Sequence, residues 1–253
     1  MADHSVIEQL KQGVPAWNTW KAKQPTAPLL DLSGTDFTSI TIHLDGIDLT
    51  FCNLRGCNLS GCQAAEALFA FADLQGANLS RTNLRSAYFA GADLSNAILA
   101  GAILKGAYMV AADLTEANLS GADLSEADFI NTTLNRAILT GADLSRTDFL
   151  QASLQGTDFS SCLLGGLTVF GDVDLSEARG LDRIKPMDGG PVVLDIRSIY
   201  WSHGRIPEQF LRAARLPESF LALIPTLHFE EEDGDAQSNE TEPTEEDRKS
   251  QAP

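Results

Sequence analysis

From Leu44 to Leu164 a centre recurs every fifth residue without an insertion, and all but one of the 25 centres are large and apolar: 18 Leu, five Phe, one Met and one Ala. Two positions before each centre stand 15 Ala, four Thr, four Cys and two Ile. Each unit thus holds a small residue and a large one, separated by a residue that is mainly polar. A period of five fits neither the 3.6 of a helix nor the 2 of a long strand. Locally, however, small–polar–large is in–out–in, a strand of three residues. The two residues that follow, often Ser-Gly or Ser-Glu, suit a turn. A chain alternating strand and corner closes a wall on itself and buries its apolar positions only when successive coils stack. The expectation is an all-β solenoid.

Units such as those in ANLSGADLSEADF (117–129) and AGADLSNAILAGAILKGA (90–107) resemble the pentapeptide-repeat proteins, over roughly residues 30 to 180. The resemblance implies a right-handed, four-sided β-helix with four units per coil. Phe69, Phe89, Phe129 and Phe149 lie 20 or 40 residues apart, which independently favours four sides. Six or so coils at ~4.8 Å make a rod of roughly 30 Å. Leu32 and Phe37 read as earlier centres, followed by a two-residue insertion, and Phe170 and Leu175 resume the pattern after one extra residue.

An open coil exposes a sheet edge and an apolar core, so both ends need covering. Residues 1–28 read as an N-terminal helical cap. Ser5 and Glu8 have capping-box spacing, and Val6, Ile7, Leu10 and Val14 form an apolar helical face. Pro15 is expected to bend or end that helix, ahead of Trp17 and Trp20. The solenoid then occupies 29–181, and a small, mostly helical segment 182–229. In the latter, Pro191–Leu194 is extended, 195–203 is helical up to Gly204, and Pro207 and Pro217 each open a further helix, with Phe210 and Leu211 inward. Residues 189–221 are similar to segments that follow pentapeptide repeats in bacterial multidomain proteins, sometimes ahead of a signalling or effector domain. Residues 230–253, rich in Glu, Asp, Ser, Thr and Pro, read as a disordered acidic tail.

The net charge of −17 divides as +1 over 1–30, −11 over 31–181, +1 over 182–229 and −8 over 230–253. Such a balance argues against direct nucleic-acid binding, which rests on Lys and Arg neutralising phosphates. No window approaches the roughly 18 apolar residues of a membrane span, and the N-terminus lacks a secretory pattern. A cytoplasmic, bacterial protein that binds neither membrane nor cofactor is expected.

The repeat also absorbs the candidate chemistry. Cys52, Cys57 and Cys62 tempt a metal assignment, yet these three and Cys162 all occupy the small inward position. Buried Cys packs as a small hydrophobe, and successive units would point the three thiols into three walls. Of the 25 outward positions before the centres, nine are Asp and five Asn, short side chains that bond nearby backbone. His4, His43, His203 and His228 are scattered without metal-ligand or nucleophile spacing. No catalytic and no metal site is expected, and the chain reads as a non-enzyme.

Function is then sought on the walls. With four units per coil, Leu68, Tyr88 and Tyr108 share one wall, with Phe51 and Phe71 at its corner and Val110, Ile130 and Leu150 beyond the centres. An apolar stripe of this length marks a protein-docking face, a homodimer face, or a surface that the terminal segments cover. The adjacent wall carries Asp73, Asp93 and Asp113 one coil apart, either a solvated acidic face or an imitation of phosphates. The leading expectation is a non-catalytic scaffold for a protein partner. The resemblance implies an alternative, since some members of the family imitate a short DNA duplex, dimerise through their C-terminal ends and bind type II topoisomerases such as gyrase, protecting them from quinolones. Against that alternative, Arg55, Arg136 and Arg146 interrupt the acidity. The C-terminal likeness suggests a second one, a sensor or adaptor of a signalling or defence system.

Overall fold

The computed structural model describes residues 4–24, 30–40, 43–187 and 192–224, so that the acidic stretch 230–253 and Pro191 lie outside the described residues. The fold is a solenoid. Parallel bridges join Asp48 to Leu68, Leu68 to Tyr88, Tyr88 to Tyr108, and Asp73 to Asp93 to Asp113, at a constant separation of 20 residues. One turn therefore consumes four five-residue units. Tyr88 shows the pattern: its N–H donates to Ala67 O at 2.9 Å, and its carbonyl accepts from Phe69 N at 2.7 Å.

Each corner follows from the two residues after a centre. The amide three residues on donates back to the centre's carbonyl, as Ala117 N does to Leu114 O at 3.0 Å. The residue before that amide has positive φ in all 25 units, 11 of them Gly and 14 other residues. Positive φ at the third residue of the turn is the type II signature. Left-handed backbone costs an L-residue ~1–2 kcal/mol, so in 14 units the stacked ladder overrides the local preference.

Inside, every centre from Leu44 to Leu164 is at most 2% exposed. Burying one Leu contributes ~1.5–3 kcal/mol, and the one-dimensional repeat multiplies it coil by coil. Within the regular coils, threonines at the small position find backbone partners for their hydroxyls, whereas the buried hydroxyl of Thr35 in the irregular first coil has none. Thr82, Thr132, Thr147 and Thr157 donate to the carbonyls of Leu59, Met109, Leu124 and Leu134 in the coil below. Buried polar groups persist where they are bonded in this way.

Register slips at both ends. Strand β1 (Leu30–Asp31) pairs with β2 (Cys52–Asn53) at an offset of 22 residues, which is the two-residue insertion read from the sequence. Strands β3 (Leu163–Leu164) and β4 (Val169–Phe170) are extended by β5 (Lys185–Pro186) and β6 (Val193–Leu194), at offsets of 22 and 24. The N-terminal helices are α1 (His4–Leu10) and α2 (Val14–Lys21). Their break corrects the reading of Pro15: the chain turns at Gly13, with φ of 96°, and Pro15 lies in the first turn of α2. A proline there loses no intrahelical bond, because the first amides of a helix have no partner.

After β6 come α3 (Ile196–Trp201), α4 (Glu208–Ala213) and α5 (Glu218–Leu221). Asp195 caps α3 by accepting from Ser198 N at 2.7 Å. The buried hydroxyls of Ser198 and Ser202 accept from Val173 N and Leu175 N, so side chains complete the last irregular coil. Phe210 of α4 meets Phe170 edge to face at 5.3 Å between ring centroids. Among the described residues no helix is long and apolar enough to cross a membrane.

Candidate interaction surface

The ladder carries Leu68, Tyr88 and Tyr108 in one outward column, each bridged to the next. Tyr88 and Tyr108 stack at 5.5 Å and are 41% and 49% exposed. Phe51 and Phe71 stack at 5.1 Å on the adjoining corner and are 58% and 57% exposed. Both phenylalanines stand at left-handed corner positions, with φ of 55°. That is an unusual place for a bulky residue. The next corner in the column is Gly91, where a Cβ would lie 2.6 Å from Phe71 Cε1, so the ring of Phe71 rests on bare backbone. The patch is thus a set of rings fixed on rigid coils, and no described segment covers it.

Val110, Ile130 and Leu150 are half-buried. They precede the corner residue. Leu150 Cδ1 stands 2.8 Å from the place of a Cβ on Gly171. Beyond Tyr108 the column continues as Asp128 and Asp148. The flank opposite the phenylalanines is of mixed charge: Glu66 and Arg85 are exposed, and Lys105, one coil on, pairs with Glu126 at 3.3 Å. Exposed Ile98, Ile103 and Ile138 lie in other columns, isolated by Asn and Asp. The polar–apolar pattern before the centres held the signal for them, one unit at a time.

The Asp ladder is present and its carboxylates are engaged. Asp73, Asp93 and Asp113 are half-buried. Their Oδ1 atoms accept from the amides of Gln75, Ser95 and Thr115 at 3.1, 2.9 and 2.8 Å. Arg55 adds an ion pair to Asp73 at 3.0 Å. Short acids at this place serve the corner first, as Asx-type turns do.

Cys52, Cys57 and Cys162 are fully buried. Burial pushes each of their thiols up to about 12, which leaves them protonated at neutral pH and poor as nucleophiles or metal ligands. Cys62 differs: it is half-buried beside a groove lined by Phe37, Ile40 and His43, although burial still raises its pKa. Among the described residues no group of three or more His, Cys, Asp or Glu side chains is placed to hold a metal ion.

At the foot of the ring-bearing column sits a polar cluster that the sequence reading missed. Trp17 Nε1 donates to Asp48 O at 2.6 Å, and Asn18 bonds both Asp48 N and Gly46 O at 2.9 Å. Lys21 Nζ reaches Asp48 Oδ1 at 2.5 Å and Thr50 O at 2.7 Å. Positions 17, 18 and 21 share one face of a helix, the only hint that the sequence offered.

The family described as Pentapeptide repeats matches the sequence in eight copies, over residues 42–85, 65–99, 87–129 and 122–166. No curated protein matches the chain. Among solved structures, the chain is similar to trypsin-treated QnrB1, a plasmid-mediated fluoroquinolone resistance protein, at 21% identity and a TM-score of 0.38, covering 67% of this chain and 86% of that one. It is also similar to HetL, a pentapeptide repeat protein involved in heterocyst differentiation regulation in the cyanobacterium Nostoc sp. strain PCC 7120. There the identity is 24% and the TM-score 0.27, covering 66% and 90% of the two chains. A third, a pentapeptide repeat protein from the cyanobacterium Cyanothece 51142, shares 18% identity at a TM-score of 0.20, covering 70% and 97%. With its corners, its inward columns and eight matched copies of the repeat, the chain belongs to the pentapeptide-repeat family.

Proposed function

We propose that this protein is a non-catalytic scaffold that docks a protein partner on its ring-bearing wall. The supporting observation is the ladder of Leu68, Tyr88 and Tyr108, with the Phe51–Phe71 stack at its corner. Exposed aromatic side chains on a rigid backbone lose little conformational entropy on binding and dominate interface energies. In this reading the coil is four-sided and right-handed. Residues 1–28 and 182–229 close its two ends, 29–181 form the rod, and the protein acts in the cytoplasm. Imitation of DNA by Asp73, Asp93 and Asp113 is disfavoured, because each spends an oxygen on a backbone amide and an apolar wall adjoins them.

The test is capture of partners by the wild-type chain, by Tyr88→Glu with Tyr108→Glu, and by Ile98→Glu with Ile138→Glu on another column. The tyrosine pair is expected to lose at least tenfold of whatever the other two retain. Equal capture by all three folded chains would sink the assignment of this wall. A second copy as the captured partner would make the wall a dimer face.

A further inference from the structure

We propose that Trp17, Asn18 and Lys21 end the ring-bearing ladder by imitating the coil missing below it, and that without them this edge pairs with strand β6 of a second copy. Inside the rod, Tyr88 gives its N–H to a carbonyl of the preceding coil and receives an amide on its own carbonyl. At Asp48 no described residue of a preceding coil supplies these groups; α2 does. The carbonyl of Asn18's side chain accepts from Asp48 N, and the indole N–H of Trp17 fills Asp48 O. One corner on, Ala70 O and Ala90 O accept from Phe51 N and Phe71 N of the coil below. Thr50 O, in the equivalent place, accepts from Lys21 Nζ instead. Three side chains of one helix thus replace three backbone groups of a strand, and Trp17 is wholly buried in doing so.

An unpaired edge of this kind is a template for another chain. The other end of the same column is β6, where Val193 pairs with Val169 and is 40% exposed. The neighbouring terminal strand, β5, is Lys185–Pro186, and a charge and a missing N–H both blunt an edge. Strand β6 itself holds neither a charge nor a proline; α4 meets the chain just before it, where Val192 N donates to Ala213 O at 3.3 Å, and leaves Val193 exposed. Because every rung is parallel, the C-terminal end of one copy matches the N-terminal end of the next. That contact is head-to-tail and does not close, so it yields chains of growing length. The inference is independent of the partner assigned to the ring-bearing wall.

Sedimentation velocity over a hundredfold concentration range tests it on the full chain carrying Trp17→Phe, Asn18→Ala and Lys21→Met. The expected weight-average mass exceeds that of the wild type at least threefold at the highest concentration and is still rising. Adding Val193→Lys returns it to the wild-type value. An unchanged mass in a variant with a native circular dichroism spectrum overturns the proposal, and so does a plateau at twice the wild-type mass. If the triple variant loses its structure, hydrogen exchange of the Asp48 amide in Asn18→Ala decides. Exchange at least tenfold faster there, with Tyr88 unchanged, supports the latch, and unaltered exchange overturns it.

Discussion

Phe89 and Tyr88 are neighbours in the chain and belong to two aromatic stacks on opposite sides of one wall. Inside, Phe69 and Phe89 lie 4.8 Å apart, nearly parallel at 5°, and wholly buried. Outside, Tyr88 and Tyr108 lie 5.5 Å apart at 20°, with nearly half of each ring in solvent. The same ladder spacing produces both. On the inner side the stack is confined by the opposing walls, and its area is removed from water. On the outer side the backbone imposes the stack and leaves the area free for another molecule. A stacked solenoid therefore separates stability from recognition by one residue, because alternate residues of a strand face opposite sides.

The sharpest break of this comparison is truncation on each side. Phe89→Ala is expected to cost about 3–5 kcal/mol in chemical denaturation, the range for a buried Phe. Tyr88→Ala should cost about 1 kcal/mol or less, since it forfeits little more than a half-exposed stack. Similar losses at both positions would mean that the outer stack is part of the core.

A smaller effect is expected at the corners that join the two faces. Gly121 has φ of 63° and open space where a Cβ would stand, so Gly121→Ala tests backbone strain alone. The expected loss is about 1 kcal/mol, while Glu116→Gly, at a left-handed corner with φ of 60°, should gain a comparable amount.

The smallest effect belongs to the foot of the outer column. Burial alone would raise the carboxyl of Asp48, but hydrogen bonds from Lys21 and Thr50 together hold it below the ordinary 3.8. A carboxylate lowered in the folded state contributes stability above its unfolded pKa, and that contribution is lost as pH falls through the folded value. The melting temperature should therefore drop below about pH 4, and drop less in Asp48→Asn. Equal acid sensitivity in both chains would remove Asp48 from this role.

Much of this architecture is legible in the residues. The inward columns follow from the period of five because only Ala, Thr or Cys fits one place and Leu or Phe the other. The three cysteines of the C-x4-C-x4-C pattern take the small inward position of the repeat, and the structure buries Cys52 and Cys57 and half-buries Cys62. Pro207 and Pro217 also mark helix starts correctly, since proline suits the entrance to a helix. Pro15 misled for the same reason applied in reverse: Gly13 had already broken the chain ahead of it. The half-burial of Val110, Ile130 and Leu150 was not legible in the sequence, because the exposure of a residue beside a corner depends on the side chains of the next coil. The bonds from Trp17, Asn18 and Lys21 to Gly46, Asp48 and Thr50 join residues 27 to 31 apart, and beyond the shared helix face no local pattern announces them.

By itself the sequence determined the solenoid, the identity of its inward residues and the place of its corners, because a five-residue period admits few other ways to bury Leu and Ala together. Tertiary structure alone decided which outward residues meet. It put Phe71 over Gly91, spent the Asp ladder on its own amides, and set α2 against the open edge at Asp48. Those outcomes depend on contacts between coils twenty or more residues apart, where the neighbour's size and the unmet hydrogen bonds of the edge decide the result.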